Sequence, residues 1–160
     1  MIYRAIPLAG ILGAGLFVLT AQQPTSSSVF TSAQAKAGRL AYDRTCGQCH
    51  TNTLMGRKGD PGELPPLGSL SASYRKFIRP RGFVAPLTGK VFIDCWGGKT
   101  AAELTARFQE TVDDPVLKFK GMNDETTVNI TAYVLQVNGA WAGAQPLTRT
   151  TGVIVSSITR

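Results

Sequence analysis

The sequence predicts an all-α domain, three main helices joined by long loops around one core. Three observations point there. Small or apolar residues recur at helical spacing over residues 33–46, 101–112 and 124–137, and the second and third of these stretches open with side chains suited to capping. The segment between the first and second is so dense in glycine and proline that no long regular element is expected in it. Finally, 160 residues give room for a single domain, with 43% hydrophobic and 17% charged residues. That balance is too apolar for a disordered tail and too poor in charge for a coiled coil.

Taken in order, Met1 to Ala21 carries one cation, Arg4, then the apolar run Ala5 to Leu19 and the small residues around Ala21. This is the layout of a secretory signal peptide. About 15 apolar residues with a proline near their start fall short of the roughly 20 that a spanning helix needs. Residues 1–21 are therefore expected to be cleaved, leaving no stable membrane span. Residues 22–32, rich in Ser, Thr, Gln and Pro, read as a flexible leader. Helix one is placed over Ala33 to Cys46, with Ala33, Ala37, Leu40 and Ala41 as its small or apolar positions.

Cys49 to Pro86 holds ten Gly and Pro residues and is too long to stand as structureless loop in a compact domain unless something other than secondary structure orders it. Thr100-Ala101-Ala102-Glu103 is a capping box, and Leu104, Phe108 and Val112 mark the inner stripe of the helix that follows, until Asp113-Asp114-Pro115 stops it. The last helix runs from about Asp124 to Val137. Asn123 supplies its cap, a wide apolar surface covers Val128 to Val137, and Asn138-Gly139 ends it. The domain is thus expected over 33–143 with a tail at 144–160, in which Val153-Ile154-Val155 reads as a short strand or as an extended segment against the core. No glycine-rich phosphate loop or Gly-x-Ser-x-Gly elbow occurs.

The chemistry lies in Cys46-Gly47-Gln48-Cys49-His50, a C-x-x-C-H sequence of the kind that attaches c-type haem. Two thiols three residues apart at a helix end reach the two vinyl groups on one edge of a porphyrin, and the next imidazole turns onto the iron. Other readings of the pair fit less well. A thioredoxin-like C-x-x-C follows a strand and opens a helix, whereas here a helix precedes it. Zinc needs two more ligands, but the chain has one His and one spare Cys, Cys95. A structural disulfide between Cys46 and Cys49 is the remaining alternative. Haem also accounts for the Gly/Pro segment, because a large flat ligand orders loops that have no core of their own.

Here the sequence resembles a family. Tyr42-x3-Cys46-x2-Cys49-His50, Pro65-Pro66-Leu67-Gly68, Pro86-Leu87-x-Gly89-x2-Phe92-x3-Trp96-x-Gly98-Lys99-Thr100-x2-Glu103-Leu104, Asp124-Glu125 and Ala132-Tyr133-Val134-Leu135-Gln136-x-Asn138-Gly139-x3-Gly143 resemble class I c-type cytochromes. They look most like the small cytochrome domains associated with quinoprotein (PQQ-dependent) alcohol dehydrogenases. The resemblance spans about Gln34 to Gly143. It implies the class I cytochrome c fold around one covalent haem c, with helix one and the last helix crossing near Gly38 and Tyr133. It further implies that the carbonyl of Pro65 or Pro66 accepts from His50 Nδ1–H, and that Leu67 and Trp96 lie against the haem. Cys95 reads as a buried small hydrophobe.

The sixth iron ligand is where the chain departs from the family. Where such proteins place a methionine just before a proline, this one reads Thr111-Val112-Asp113-Asp114-Pro115. Met122, in the same inter-helix loop, is the provisional distal ligand, with the cap-flanking hydrophobe of the last helix as its ordinary alternative. Met55 is a weaker candidate, Lys118 and Lys120 are others, and an open position completes the set. Six strong ligands suit electron transfer, whereas an open position suits small-ligand binding or peroxide chemistry.

The whole chain carries a formal charge of +7, and Tyr74-Arg75-Lys76-Phe77-Ile78-Arg79-Pro80-Arg81 gathers four of its cations. These are read as partners for haem propionates and as a field that steers an acidic redox protein, not nucleic acid, to the surface. The expected function is therefore a non-enzymatic electron carrier of the bacterial periplasm. It passes single electrons between a donor, a quinoprotein dehydrogenase among the candidates, and the respiratory chain, free or as a subunit of such a complex.

Overall fold

The structure is a computed structural model that describes residues 28–58, 66–78, 82–115, 117, 119 and 121–160, and it is mostly helical. The expected signal peptide, Pro65, Arg79 to Arg81, Lys118 and Lys120 lie outside the described residues. Helix α1 (Ser32–Arg44) is followed by the single turn α2 (Gly47–His50) and the short strand β1 (Arg57–Lys58). Then come α3 (Ala72–Ile78), β2 (Phe83–Val84), α4 (Gly89–Trp96), α5 (Ala101–Val112) and α6 (Asp124–Val137). Single 3₁₀ turns stand at Leu67–Ser69 and Val155–Ser157. The three long helices are the three expected ones, whereas α3 and α4 occupy stretches in which no helix was expected.

Helix α1 starts where Thr31 and Gln34 cap each other: Gln34 N–H donates to Thr31 Oγ1 at 3.2 Å and Thr31 N–H donates to Gln34 Oε1 at 3.1 Å. Its buried residues, Ala35, Gly38 and Tyr42, lie three and four apart and face α6. At Gly38 the two backbones meet. A Cβ there would stand 1.8 Å from the carbonyl oxygen of Asn129. One turn on, the rings of Tyr42 and Tyr133 pack with centroids 5.3 Å apart and planes tilted by 60°. The crossing is thus near Gly38 as expected, but glycine meets backbone there, and Tyr133 pairs with Tyr42.

Helix α5 has both bonds of its expected box, Glu103 N–H to Thr100 Oγ1 at 3.1 Å and Thr100 N–H to Glu103 Oε2 at 2.7 Å. It buries Ala101, Leu104, Thr105 and Val112. Helix α6 is covered almost all round, from Thr127 to Leu135, which matches its wide apolar surface. Its buried hydroxyls are satisfied by the preceding turn, Thr127 donating to Asn123 O and Thr131 to Thr127 O, and Thr105 of α5 likewise donates to Ala101 O.

Helix α4 turns Phe92 into the core and Trp96 partly so, leaving Val91, Cys95 and the Lys90–Asp94 ion pair outside. Cys95 is therefore exposed, contrary to its reading as a buried hydrophobe. It sits three positions beyond inward-facing Phe92 but on the outer flank, because Trp96 takes the inner place one residue later.

The first and last described segments join the core. Phe30, in the expected leader, is fully buried, and its carbonyl accepts from Gly143 N–H at 2.8 Å. Residues 144–160 are no loose tail either: Leu147, Val155 and Ile158 are buried with the main core. Gln34 clamps Leu147 through both its amide atoms, at 2.8 and 2.9 Å. Val153 to Val155 run extended beside the start of α5, with Ala101 N–H donating to Val153 O and Val155 N–H donating to Lys99 O, both at 2.9 Å.

Gly38→Ala is expected to lose about 1–3 kcal/mol in denaturant unfolding, because the neighbour that must yield is backbone and the ~1 kcal/mol gain in helix propensity is the smaller effect. Gly98→Ala, in the turn after α4 where an added Cβ meets nothing within 4 Å, is the control for added volume and should stay close to the parent.

Candidate functional site

The C-x-x-C-H segment sits at the end of α1. Thr45 closes that helix, its N–H on Tyr42 O at 3.1 Å and its hydroxyl on Ala41 O at 2.7 Å. Cys46 then opens the turn α2, with Cys49 N–H and His50 N–H both donating to Cys46 O, at 3.1 and 2.8 Å. Thr51 reverses the chain with φ +65, a left-handed conformation that a β-branched residue rarely adopts. Such strain costs about 1–3 kcal/mol and persists only where surroundings over-determine it. Here they do: the buried Tyr42 hydroxyl donates to Thr51 O at 2.8 Å, and Thr51 Oγ1 bonds Thr53 Oγ1 at 2.9 Å.

Below the turn, β1 and β2 form a two-residue antiparallel ribbon with Arg57 opposite Val84 and Lys58 opposite Phe83. Gly56 leads into it with φ +73, donates its N–H to His50 O at 2.9 Å, and lies so close that a Cβ would stand 2.1 Å from Val84 O. The ribbon delivers Ala85, whose carbonyl lies 2.8 Å from His50 Nδ1. A carbonyl only accepts, so Nδ1 carries the proton and Nε2 keeps its lone pair. The expected acceptor was the carbonyl of Pro65 or Pro66; the structure gives Ala85 that place, while Pro66 O accepts from the Ser69 hydroxyl and N–H. The physical reason is the ribbon, which brings the residue after β2 beneath the imidazole.

Burial sets the protonation states. It lowers the His50 pKa, against the Ala85 hydrogen bond that raises it, which favours the neutral imidazole. It raises the Cys46 thiol, with the Thr45 hydroxyl opposing. It raises Cys49 too, against the pull of the Arg57 charge. The Tyr42 phenol is pushed up by burial first and by the thiols and Tyr133 after it. Neither thiol is in a disulfide. Cys46 packs on the main core, in company with Trp96 and Met122. Cys49 packs on a second, smaller cluster of Leu70, Ile78 and Val84, in company with Leu67 and Tyr74.

Of the expected site residues, Cys46, Cys49 and His50 stand on one turn, Leu67 shares the apolar cluster of Cys49, and Trp96 and Met122 share that of Cys46. Pro66 is exposed and makes no bond to the imidazole, and Met55 is exposed as well. The basic stretch begins as helix: Arg75 donates from α3 to Gly68 O at 2.7 Å. Ala85, Gly56, Thr51 and Arg57 are the site residues that sequence reasoning missed. A polar cleft of about 690 Å³, lined by Arg39, Asp43, Gln48, Asn52 and Arg57, opens on the outer side of α2 and includes neither cysteine nor the histidine.

These residues fit a covalently held porphyrin. It needs two unpaired thiols on one turn, a neutral imidazole with a free Nε2, and apolar surface beside each thiol; all are present. Among the described residues no three His, Cys, Asp or Glu side chains gather as a metal set, but a porphyrin brings four nitrogen ligands of its own. Among the same residues no helix is long and apolar enough to cross a membrane. Comparison with protein-family models, curated proteins and solved structures returns no match for the chain.

Gly56→Ala combines the left-handed strain with a backbone clash and should lower stability by about 1–3 kcal/mol in urea unfolding. Gly82→Ala, also at positive φ but with open space around it, should cost visibly less.

Proposed function

We propose that this chain is a class I c-type cytochrome that carries single electrons in the bacterial periplasm. Cys46 and Cys49 hold one haem c covalently, and His50 binds its iron through Nε2. The observation that carries the reading is the tautomer of His50, fixed by Ala85 on a turn that bears two unpaired thiols. Met122 is the distal ligand in this proposal. It is half-buried against the same core as Cys46, whereas Met55 is exposed.

When bound, the haem supplies a one-electron iron couple whose potential a thioether ligand raises. The rest falls to the polypeptide. The Ala85 carbonyl keeps the imidazole oriented and its outer nitrogen protonated, so that ligand strength does not drift with the ring. The Tyr42–Thr51 bond holds the turn that presents both sulfurs. The positive net charge draws an acidic redox protein, with a quinoprotein dehydrogenase as the donor the resemblance favours. Residues 1–21 act as the export signal.

The test is to express the full chain in cells with a working cytochrome maturation system. The expected product is coloured, weighs one haem more than the processed polypeptide, and loses the attachment in Cys46→Ala and Cys49→Ala. A sulfur–iron charge-transfer band that vanishes in Met122→Ala supports the electron carrier. A high-spin spectrum that shifts with cyanide instead assigns the chain to small-ligand or peroxide chemistry. A colourless product of bare polypeptide mass overturns the haem reading altogether.

A further inference from the structure

Resting on the cytochrome reading above, we propose that Arg57 is the positioning residue of the attachment turn and that its charge holds the reduction potential of the loaded protein up. Arg57 begins β1 and folds its guanidinium back onto α2. Nε donates to Cys49 O at 3.1 Å, Nη2 to Gln48 O at 3.3 Å, and Nη1 to Ser69 Oγ at 2.7 Å. Ser69 Oγ passes the link on by donating to Pro66 O at 2.8 Å.

Two consequences follow from this geometry. The last carbonyls of a helical turn have no partner within it, and a cation is the favoured cap there. Arg57 fills that role for Gln48 and Cys49, the last two of the three residues between the first cysteine and the histidine. Through Ser69 it ties them to the 3₁₀ turn that carries Leu67, a neighbour of Cys49 in the smaller apolar cluster. One fork therefore fixes the second thiol relative to the apolar surface beside it.

The second consequence is electrostatic. All three acceptors are uncharged oxygens, so none of these bonds cancels the guanidinium charge. Arginine keeps its charge at any working pH, and the side chain is half-buried, where water screens it less than at the surface. A fixed positive charge bonded to the residue before His50 disfavours the more positive, oxidised iron and so raises the potential.

The test uses the loaded full-length protein and two readouts, the midpoint potential and the thermal midpoint. Arg57→Gln is expected to lower both. Arg57→Lys keeps the charge without the fork, so it should restore the potential while the thermal midpoint stays low. Ser69→Ala should lower the thermal midpoint alone, and Lys90→Gln, which removes an exposed cation on α4, should move neither potential nor fold. A wild-type potential in Arg57→Gln, or an Arg57→Lys potential that falls as far, overturns the proposal by reducing Arg57 to a structural tie. If Arg57→Gln loads too poorly to titrate, Arg57→Lys decides alone: the parent potential with a lowered thermal midpoint supports the proposal, and a potential below the parent's overturns it. A coloured parent with an unmoved variant sinks this inference only, whereas a colourless parent sinks the cytochrome reading and this inference with it.

Discussion

The backbone contact between α1 and α6 at Gly38 is the constraint on which the site depends. Because no side chain separates Gly38 from Asn129, the helices come close enough for the next inward residue of α1, Tyr42, to bury its ring wholly against Tyr133. A buried phenol must find an acceptor. It finds Thr51 O, directly after the histidine. The helix crossing, the ring pair and the reversal of the chain after His50 thus form one mechanical sequence, and widening the crossing would withdraw the hydroxyl that holds the strained turn.

A second line of support reaches the same turn from the opposite side of the motif. The β1–β2 ribbon is only two residues long, too short to be stable alone. It is kept by its ends: Gly56 N–H on His50 O, Leu87 N–H on Leu54 O, and Arg57 on α2. Beyond the ribbon, Asn138 at the end of α6 donates to Leu87 O and accepts from Gly89 N–H. The carbonyl that sets the His50 tautomer is therefore tied, over four residues, to the same helix that meets Gly38. Both sides of the imidazole answer to α6.

How much of this could be read from the sequence depended on the range of the signal. The Thr100–Glu103 box, the Asn123 cap and the Asn138-Gly139 stop are local hydrogen-bond patterns, so α5 and α6 were legible to within a residue. The same logic applied to Thr31 and Gln34 would have fixed the start of α1, and the box lay in plain view. Helix α4 was harder, because it is only eight residues long and Thr88 makes no side-chain capping bond to announce its start, although Phe92 and Trp96 stand four apart on its inner side. Cys46, Cys49 and His50 were legible as a motif. Ala85 was not, since its part depends on a carbonyl that every residue possesses and on a ribbon pairing 27 residues apart in sequence, Arg57 with Val84. The burial of Phe30, Leu147 and Ile158 was hidden likewise, because no periodicity marks an irregular segment that lies on a core formed elsewhere.

The two apolar clusters bear on why a Gly/Pro-rich segment would be kept so long. Leu70, Ile78 and Val84 come from three different pieces of it and bury little in total, far less than an independent core requires. A cluster of that size holds its loops only if it shares apolar surface with something larger. The main core touches the attachment turn at Cys46, and the small cluster touches it at Cys49, three residues on. In the proposed reading a single rigid ring is bonded to both sulfurs and covers both clusters, so its attachment supplies the contacts that the loop sequence lacks.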